Sequence, residues 1–157
     1  MNGKNGIRNI WPPSNEWMDN GCVTCSRIHK ETERKALAEV TFSEVSASDY
    51  DAIAVIGGSG TNDHLWGNQE LQSFLKQAHE QKVLVTGICA GSVTVAKTGL
   101  LSGRKAACYP VDVQIDELKA NSAEYVKRHV VAHGDIITGD GPDGAKEFGE
   151  SLAAALR

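Results

Sequence analysis

One cysteine, Cys89, lies between glycines in the segment Gly87-Ile88-Cys89-Ala90-Gly91. The apolar run "KVLVTGI" before it is typical of a buried strand, and a helix-like pattern begins directly after it. A nucleophile presented at a strand-to-helix turn has a strained backbone and needs small neighbours, because strand and helix approach closely there. The sequence therefore predicts a nucleophile elbow in which cysteine takes the place of the usual serine.

The predicted position of Cys89 also favours its reactive form. A helix N-terminus presents unpaired N–H groups and a partial positive charge, which stabilise a thiolate relative to a thiol. The alternative is a buried cysteine that acts as a small hydrophobic residue. Flanking glycines favour the nucleophile, because a core cysteine does not need the backbone freedom that glycine supplies.

The glycine-rich loop "GGSGT" at residues 57–61 follows another predicted strand. Such a loop exposes backbone N–H groups, which could bind either a phosphate or an oxyanion. The segment lacks the rest of a nucleotide-binding fingerprint, so the oxyanion interpretation is favoured, with Gly57 as an accessory position. His64 follows the loop and could act as a base at the pocket mouth, or it could be a solvated loop residue.

The other cysteines have structural interpretations. Cys22 and Cys25 have the spacing of a redox motif, but residues three apart on a strand point to opposite faces, so strand packing is favoured. Cys108 is expected in the core, with the alternative that it faces Cys89. No cluster of residues has metal-ligand spacing, and we expect neither a metal nor a cofactor.

The elements that must position these residues alternate along the chain. The run "YDAIAVIGG" (50–58) predicts a strand buried on both faces, and residues 68–81 carry an apolar helical stripe of Leu71, Phe74, Leu75 and Ala78. "RKAACY" predicts a further strand, and "HVVAHGDIITGD" predicts a hairpin that turns at residues 133–135. A last helix is expected to begin at Pro142. This alternation indicates an α/β domain with a mainly parallel sheet.

Composition narrows the classes of partner. The chain has 157 residues, 41% of them hydrophobic and 23% charged, which suits one globular domain. Its net charge is −4 and its basic residues are interleaved with acids, so we expect neither nucleic acid nor a membrane surface as a partner. The opening residues do not resemble a secretory signal, which predicts a cytoplasmic protein with reduced thiols.

Three segments together resemble the ThiJ/PfpI family of the class I glutamine amidotransferase-like superfamily, which includes the parkinsonism-associated deglycase and intracellular proteases. They are "DYDAIAVIGG", "GICAGSVTVAKTGLLSGRKAACYP" and "DIITGDGPDGAKEFGESLAAAL", within residues 36–157. The resemblance implies a flavodoxin-like three-layer sandwich, a reactive Cys89 and an oxyanion pocket formed by the backbone N–H groups of Gly58 and Ala90. It also implies a homodimer or larger homo-oligomer.

Two features depart from the family. A histidine partner would stand directly after the cysteine or before a proline at a strand end, where this chain has Ala90 and Tyr109. The family's glutamate on its first helix would fall in residues 1–21, which show neither strand alternation nor a helical stripe. The domain is therefore assigned to residues 22–157, with the first strand and helix missing or altered. Residues 1–21 are either a native segment or the product of a local frameshift that removed the glutamate.

Two classes of function follow from the resemblance. One is a cysteine-dependent hydrolase or lyase of glyoxalase III, deglycase or peptidase type, in which Cys89 attacks a small reactive carbonyl or acyl substrate. The other is a non-enzymatic redox-responsive stress or chaperone protein, in which Cys89 is oxidised. The missing histidine and glutamate favour the second class, and the elbow is compatible with both.

Overall fold

The computed structural model describes residues 10–11 and 40–157. The strands, in chain order, are β1 (Ile10–Trp11), β2 (Val40–Thr41), β3 (Ala52–Ile56), β4 (Leu84–Ile88), β5 (Lys105–Ala106), β6 (Glu124–Tyr125), β7 (Val130–Ala132) and β8 (Ile136–Gly139). The helices are α1 (Thr61–His64), α2 (Gln69–Glu80), α3 (Ala90–Lys97), α4 (Asp112–Ala120) and α5 (Ala145–Ala155), with two 3-10 helices at Phe42–Glu44 and Ala47–Asp49.

Four strands form the central sheet in the order β3-β4-β8-β7. β3, β4 and β8 run parallel, and β7 pairs with β8 in antiparallel orientation. β1 pairs with β2, and β5 pairs with β6, as separate parallel two-stranded sheets. β4 is buried throughout, because it has a strand on each side and helices on both faces.

The central sheet separates two apolar clusters, and alternate residues of β4 supply both. Val85 belongs to the cluster that includes the buried residues of α2 and α3. Leu84 and Ile88 point to the other face, where they pack with Ile137 and with Phe148 of α5. Helices therefore cover both faces of the sheet, which makes the three-layer α/β sandwich that the family resemblance implies.

Most of the predicted elements are confirmed. The stripe residues of α2 are buried, and the Asn68 side chain accepts a hydrogen bond from the Leu71 N–H at 2.8 Å, which caps this helix. The hairpin of β7 and β8 turns as predicted, with Gly134 at a φ of 74° and the His133 N–H donating to the Ile136 carbonyl at 2.8 Å.

Two predicted boundaries are wrong. The last helix begins at Ala145 rather than Pro142, because residues 142–144 form a turn in which the Ala145 N–H donates to the Pro142 carbonyl. The strand predicted over "RKAACY" ends at Ala106, although Cys108 is buried as expected.

Residues 1–21, where the sequence shows no strand alternation, contain β1, which pairs in parallel with β2. The predicted strand packing of Cys22 and Cys25, the boundary between residues 21 and 22 and the family's glutamate position lie outside the described residues. None of the helices in the described ranges is long and apolar enough to cross a membrane.

Candidate functional site

Cys89 occupies the turn between β4 and α3, at the N-cap of the helix. Its φ is 59° and its ψ is −130°, a region that residues with a side chain rarely adopt. Such strain persists only where surrounding structure enforces it. Cys89 therefore has the backbone geometry of a nucleophile elbow.

The glycines around Cys89 are required by close backbone contacts. A Cβ on Gly91 would overlap the carbonyl oxygen of Val55 on β3. A Cβ on Gly87 would lie 2.7 Å from the Gly91 carbonyl oxygen and 2.9 Å from the Ser92 Cα. A Cβ on Gly57 would lie 2.5 Å from the Ala90 nitrogen and 2.6 Å from the Gly91 nitrogen. The glycines thus allow β3, β4 and the start of α3 to meet without side chains between them.

Hydrogen bonds to β8, to β4 and from Trp66 hold the elbow in place. The Cys89 N–H donates to the Gly139 carbonyl of β8 at 2.9 Å. The buried Ser92 hydroxyl lies 3.0 Å from the Gly87 carbonyl and 3.1 Å from the Gly139 carbonyl. The Trp66 Nε1–H donates to the Ala90 carbonyl at 3.0 Å. The strained turn is therefore fixed by the neighbouring strand and by a buried indole.

The environment of the Cys89 thiol disfavours its ionised form, which corrects the expectation from the sequence. Burial raises the pKa of Cys89, and the Asp140 carboxylate also raises it. Hydrogen bonds from the Ala90 N–H and the Gln114 side chain act in the opposite direction but do not outweigh burial. The helix N-terminus thus contributes as predicted, yet the resting residue is a thiol.

Gln114 is a site residue that the sequence did not reveal. It lies on α4, is 8% exposed, and hydrogen bonds through its side chain to the Cys89 sulfur. Its neighbours Val111 and Val113 are exposed, so at this helical turn the apolar side chains face solvent and the polar one is buried. A single-sequence pattern would place the valines inside and the glutamine in solvent.

Asp140 and His129 form a second unpredicted pair near the thiol. The His129 Nδ1 lies 2.7 Å from the Asp140 Oδ2, and this hydrogen bond raises the pKa of His129. Asp140 stands at the end of β8 and precedes Gly141, whose α-carbon faces both the Tyr109 ring and the Cys89 Cβ. The pair therefore places a carboxylate beside the nucleophile and couples it to an imidazole.

The two backbone N–H groups predicted to bind an oxyanion, those of Gly58 and Ala90, have different hydrogen-bond partners in the structure. The Gly58 N–H donates to the buried Thr61 Oγ1 at 2.7 Å, and the Gly57 N–H donates to the Ile88 carbonyl at 3.1 Å. The Ala90 N–H faces the Cys89 sulfur. His64 ends α1, and its ring packs over Gly60. The loop and the elbow are thus adjacent, and Ala90 is the donor directed at the nucleophile.

Cys108, the other cysteine in the described part of the chain, is a core residue. Cys108 is fully buried, and burial together with the nearby Cys89 raises the pKa of Cys108 to about 12. Both Cys89 and Cys108 are free thiols. Cys22 and Cys25 lie outside the described residues. Among the residues that the structure describes, no group of three or more histidine, cysteine, aspartate or glutamate side chains could hold a metal ion.

Comparisons with known proteins agree on one family. The model of the DJ-1/PfpI family matches residues 15–155. An uncharacterized protein of Methanocaldococcus jannaschii is 38% identical over 122 residues, which cover 78% of this chain and 60% of that protein. The isonitrile hydratase of Pseudomonas putida is 33% identical over 106 residues, which cover 68% of this chain and 45% of the relative.

A solved structure supports the same assignment. The crystal structure of a ThiJ/PfpI domain protein from Brachyspira murdochii superposes with a TM-score of 0.71 at 28% sequence identity. The match covers 76% of this chain and 67% of that one. Since both curated relatives above are longer than the matched segment, what they do as whole proteins does not transfer directly.

Proposed function

Because the chain belongs to the DJ-1/PfpI family and presents Cys89 at a strained elbow, we propose that it is a cysteine-dependent hydrolase or lyase of small reactive carbonyl compounds. One observation carries the proposal: Cys89 stands at a strained turn, with a φ of 59° and a ψ of −130°, where hydrogen bonds from the Ala90 N–H and the Gln114 side chain act against burial and lower its pKa. Donors at the sulfur stabilise negative charge that develops there as the thiol loses its proton. An inert core cysteine would not need them.

The reaction begins with addition of the Cys89 thiol to an aldehyde carbonyl. The sulfur–carbon bond forms as the carbonyl π bond breaks, and the thiol proton ends on the carbonyl oxygen. For a 2-oxoaldehyde such as glyoxal, the adduct carbon then loses its proton to a base and the neighbouring carbonyl oxygen gains one, which gives an enediol. A proton returns to the neighbouring carbon as the hydroxyl on the adduct carbon loses its proton, and the product is a 2-hydroxy thioester. Water hydrolyses the thioester to a 2-hydroxy acid and restores the thiol.

We assign the developing oxyanion to the N–H groups of Ala90 and Gly58. Ala90 already points at the sulfur, whereas Gly58 must exchange its bond to the Thr61 hydroxyl for one to the substrate. Gly57 contributes by letting the loop approach the start of α3. His64 is the proposed proton carrier, since α1 directly follows this loop.

Small substrates are favoured over peptides. Cys89 is only partly exposed, and the buried Gln114 and the Tyr109 ring lie beside it. A bulky acyl group would have to displace these neighbours, but a two- or three-carbon aldehyde would not. The name of one relative, isonitrile hydratase, likewise denotes a small-molecule reaction.

Two further proposals concern the cellular location and the oligomeric state of the protein. We place the protein in the cytoplasm, because the nucleophile must remain a reduced thiol. We also propose that it is a homodimer or larger, as the family resemblance implies. Light scattering at micromolar concentration tests this, and a monodisperse monomer would contradict it.

The alternative is a redox-responsive protein that turns nothing over. It is favoured because the causes that shift the pKa of Cys89 are burial, two hydrogen-bond donors and the Asp140 carboxylate, and they include no imidazole. In that case peroxide would convert Cys89 to a sulfenic or sulfinic acid, and carbonyl compounds would not be consumed.

The two functions are separated by following carbon-13 glyoxal by NMR in the presence of the protein. The proposed function predicts conversion to glycolate, which is glyoxal plus one water. No glycolate, together with stoichiometric peroxide oxidation of Cys89 by mass spectrometry, would replace the proposal with the redox function.

A further inference from the structure

The register of the central sheet places Cys89, Asp140 and His129 in one row, at the edge where β4 and β8 end and β7 begins. β4 and β8 end side by side, and the Cys89 N–H extends their pairing by donating to the Gly139 carbonyl at 2.9 Å. β7 pairs with β8 up to Gly139, and the Asp140 N–H extends this pairing by donating to the His129 carbonyl at 2.9 Å. Asp140 therefore stands between the nucleophile and an imidazole.

The Asp140 carboxylate holds the His129 ring in one orientation. The His129 Nδ1 lies 2.7 Å from the Asp140 Oδ2. Because an ionised carboxylate only accepts hydrogen bonds, Nδ1 carries the proton and the free lone pair of the ring is on Nε2. Nε2 has no hydrogen-bond partner among the described residues, and 56% of the His129 side chain is exposed. This is the arrangement of an imidazole base that a carboxylate supports.

Asp140 itself does not serve as the base. Its Oδ1 is buried and has no hydrogen-bond partner in the described part of the chain, so no substrate reaches that oxygen. Its Oδ2 is bonded to His129. A Cβ on Gly144 would overlap the Asp140 Oδ1 and lie 3.0 Å from the His129 Cβ, so both residues pack against the start of α5. Asp140 is therefore a positioning residue, and the imidazole is the exposed member of the pair.

The separation along the row keeps the imidazole away from the thiol itself. Neighbouring strands lie about 4.8 Å apart, so the backbones of Cys89 and His129 are separated by roughly 10 Å. The causes that shift the pKa of Cys89 accordingly include Asp140 and no histidine. A two-carbon acyl group on the sulfur and one water span most of this separation, since each hydrogen bond adds about 3 Å. His129 is therefore placed to act on that water.

We propose that His129 is the general base that activates the water which hydrolyses the thioester on Cys89. This rests on the proposed function. Nε2 takes a proton from the water as the water oxygen bonds to the thioester carbon and the carbonyl π bond breaks. The carbonyl re-forms as the carbon–sulfur bond breaks, and the proton on the imidazolium passes through solvent to the sulfur. The products are the free acid and the Cys89 thiol, and the neutral imidazole is regenerated.

The charged groups that act on His129 come from the end of β8, the turn after it and α5. They are Asp140, Asp143 and Glu147, and all three raise the pKa of His129 above its ordinary value of 6.5, while partial desolvation acts in the opposite direction. The hydrogen bond to Asp140 is the largest cause. Only a neutral imidazole accepts a proton, so hydrolysis of the thioester should accelerate as pH rises through this raised pKa.

The test separates acylation of Cys89 from hydrolysis of the acyl group. 4-Nitrophenyl acetate acetylates the thiol with a burst of 4-nitrophenol, and the slower steady release then reports hydrolysis of the acetyl thioester. Cys89→Ala gives the release that comes from other side chains, which is subtracted. In His129→Gln the burst should be unchanged, which also shows that the variant is folded. The steady rate should fall about 100-fold, a usual worth of a positioned base, and should lose its dependence on pH.

His133→Gln is the matched control. His133 belongs to the same hairpin, but its Nε2 lies 2.7 Å from the Lys105 carbonyl, at the opposite end of the sheet. The burst and the steady rate of this variant should both equal those of the wild type.

Imidazole in the buffer gives a readout that a merely structural role would not change. Acetylated His129→Ala, freed of excess ester, should lose its acetyl group faster when imidazole is added, because the small molecule replaces the missing base. The acetylated wild type already carries the base and should respond much less. Mass spectrometry of the Cys89 peptide measures the acetyl group in both proteins.

Three outcomes overturn the inference: a steady rate in His129→Gln that equals the wild-type rate, an equal fall in His133→Gln, or an effect of imidazole on His129→Ala no larger than on wild type. All three leave the proposed function standing, because Cys89 is still acylated in the burst. If no burst depends on Cys89, the proposed function fails, and the inference fails with it.

Discussion

The Asp140 carboxylate raises the pKa of the Cys89 thiol, while its Oδ2 accepts a hydrogen bond from His129 Nδ1 at 2.7 Å. Cys89 and Asp140 are 51 positions apart in sequence. They meet because β8, which ends at Gly139, lies next to β4, which ends at Ile88. Burial is the larger cause of the raised pKa of Cys89, and the negative charge of Asp140 adds to it by disfavouring the thiolate.

Replacing Asp140 with asparagine should increase the reactivity of Cys89. The substitution removes a charge that disfavours the thiolate, so the pKa of Cys89 should fall and its alkylation profile should shift to lower pH. Iodoacetamide rates between pH 6 and 10 measure this. Asp116→Asn is the matched control, because Asp116 is an exposed aspartate on α4 whose loss changes the net charge equally. An unchanged profile in Asp140→Asn would show that this carboxylate does not govern the thiol.

Cys89 should be alkylated much faster than Cys108 in the folded protein. Cys89 is partly exposed, whereas Cys108 is fully buried and has a pKa of about 12. At pH 8 the thiolate fraction of Cys108 is on the order of 1 in 10,000, and access reduces its rate further. Brief iodoacetamide treatment followed by peptide mass spectrometry checks this. Faster labelling of Cys108 would contradict the elbow assignment.

Gly91→Ala should disrupt the fold. The new methyl group would overlap the Val55 carbonyl oxygen, so β3 and α3 would have to separate, at a cost of about 3 kcal/mol or more in the free energy of unfolding. Gly149→Ala is the control, because Gly149 lies within α5 with open space around it. This control should gain up to about 1 kcal/mol from helix propensity. Urea denaturation measures both, and equal stabilities would refute the close-packing account.

A pH-dependent contribution to stability should come from Asp135, at the other end of the sheet. Burial acts to raise the pKa of Asp135, but hydrogen bonds from His79 and Arg104 outweigh it and hold this pKa at about 2. A lowered carboxyl pKa stabilises the fold above the unfolded value, near 3.9, and this contribution is lost as pH falls towards 2. The half-exposed pairs limit it to about 1 kcal/mol.

Asp135→Asn should therefore be less stable than wild type at pH 6, and the difference should shrink between pH 4 and 2. Denaturant titrations at pH 6, 4 and 2.5 provide the comparison. Asp112→Asn, a change at an exposed position, controls for net charge. A difference that stays constant with pH would mean that the carboxylate does not account for the effect.

The elements that position Cys89 could be predicted because their signals are local. Glycines flanking a cysteine after an apolar run imply a close strand-to-helix approach, and the contacts of Gly87 and Gly91 confirm it. The stripe of α2 follows helical periodicity and is buried as expected. The start of α5 was misplaced, because proline at the first helical position and proline in a preceding turn look alike in sequence.

The groups around the thiol could not be predicted, because they depend on distant parts of the chain. Gln114 is buried on a turn of α4 whose valines face solvent, which reverses the usual pattern. Asp140 comes near Cys89 because β8 pairs with β4. The sign of the Cys89 pKa shift also depends on burial, which is a property of the packed structure rather than of the helix terminus alone.

The rate of glyoxal consumption by Cys89→Ala, compared with wild type and with Cys108→Ala, tests the central claim most directly. Wild type is expected to consume glyoxal slowly, since a positioned acid–base partner is usually worth about 100- to 10,000-fold and the family's usual partners are not recognisable in this sequence. Cys108→Ala should retain this rate, and Cys89→Ala should fall to the rate without protein. Glyoxal consumption that survives in a folded Cys89→Ala protein would contradict the account.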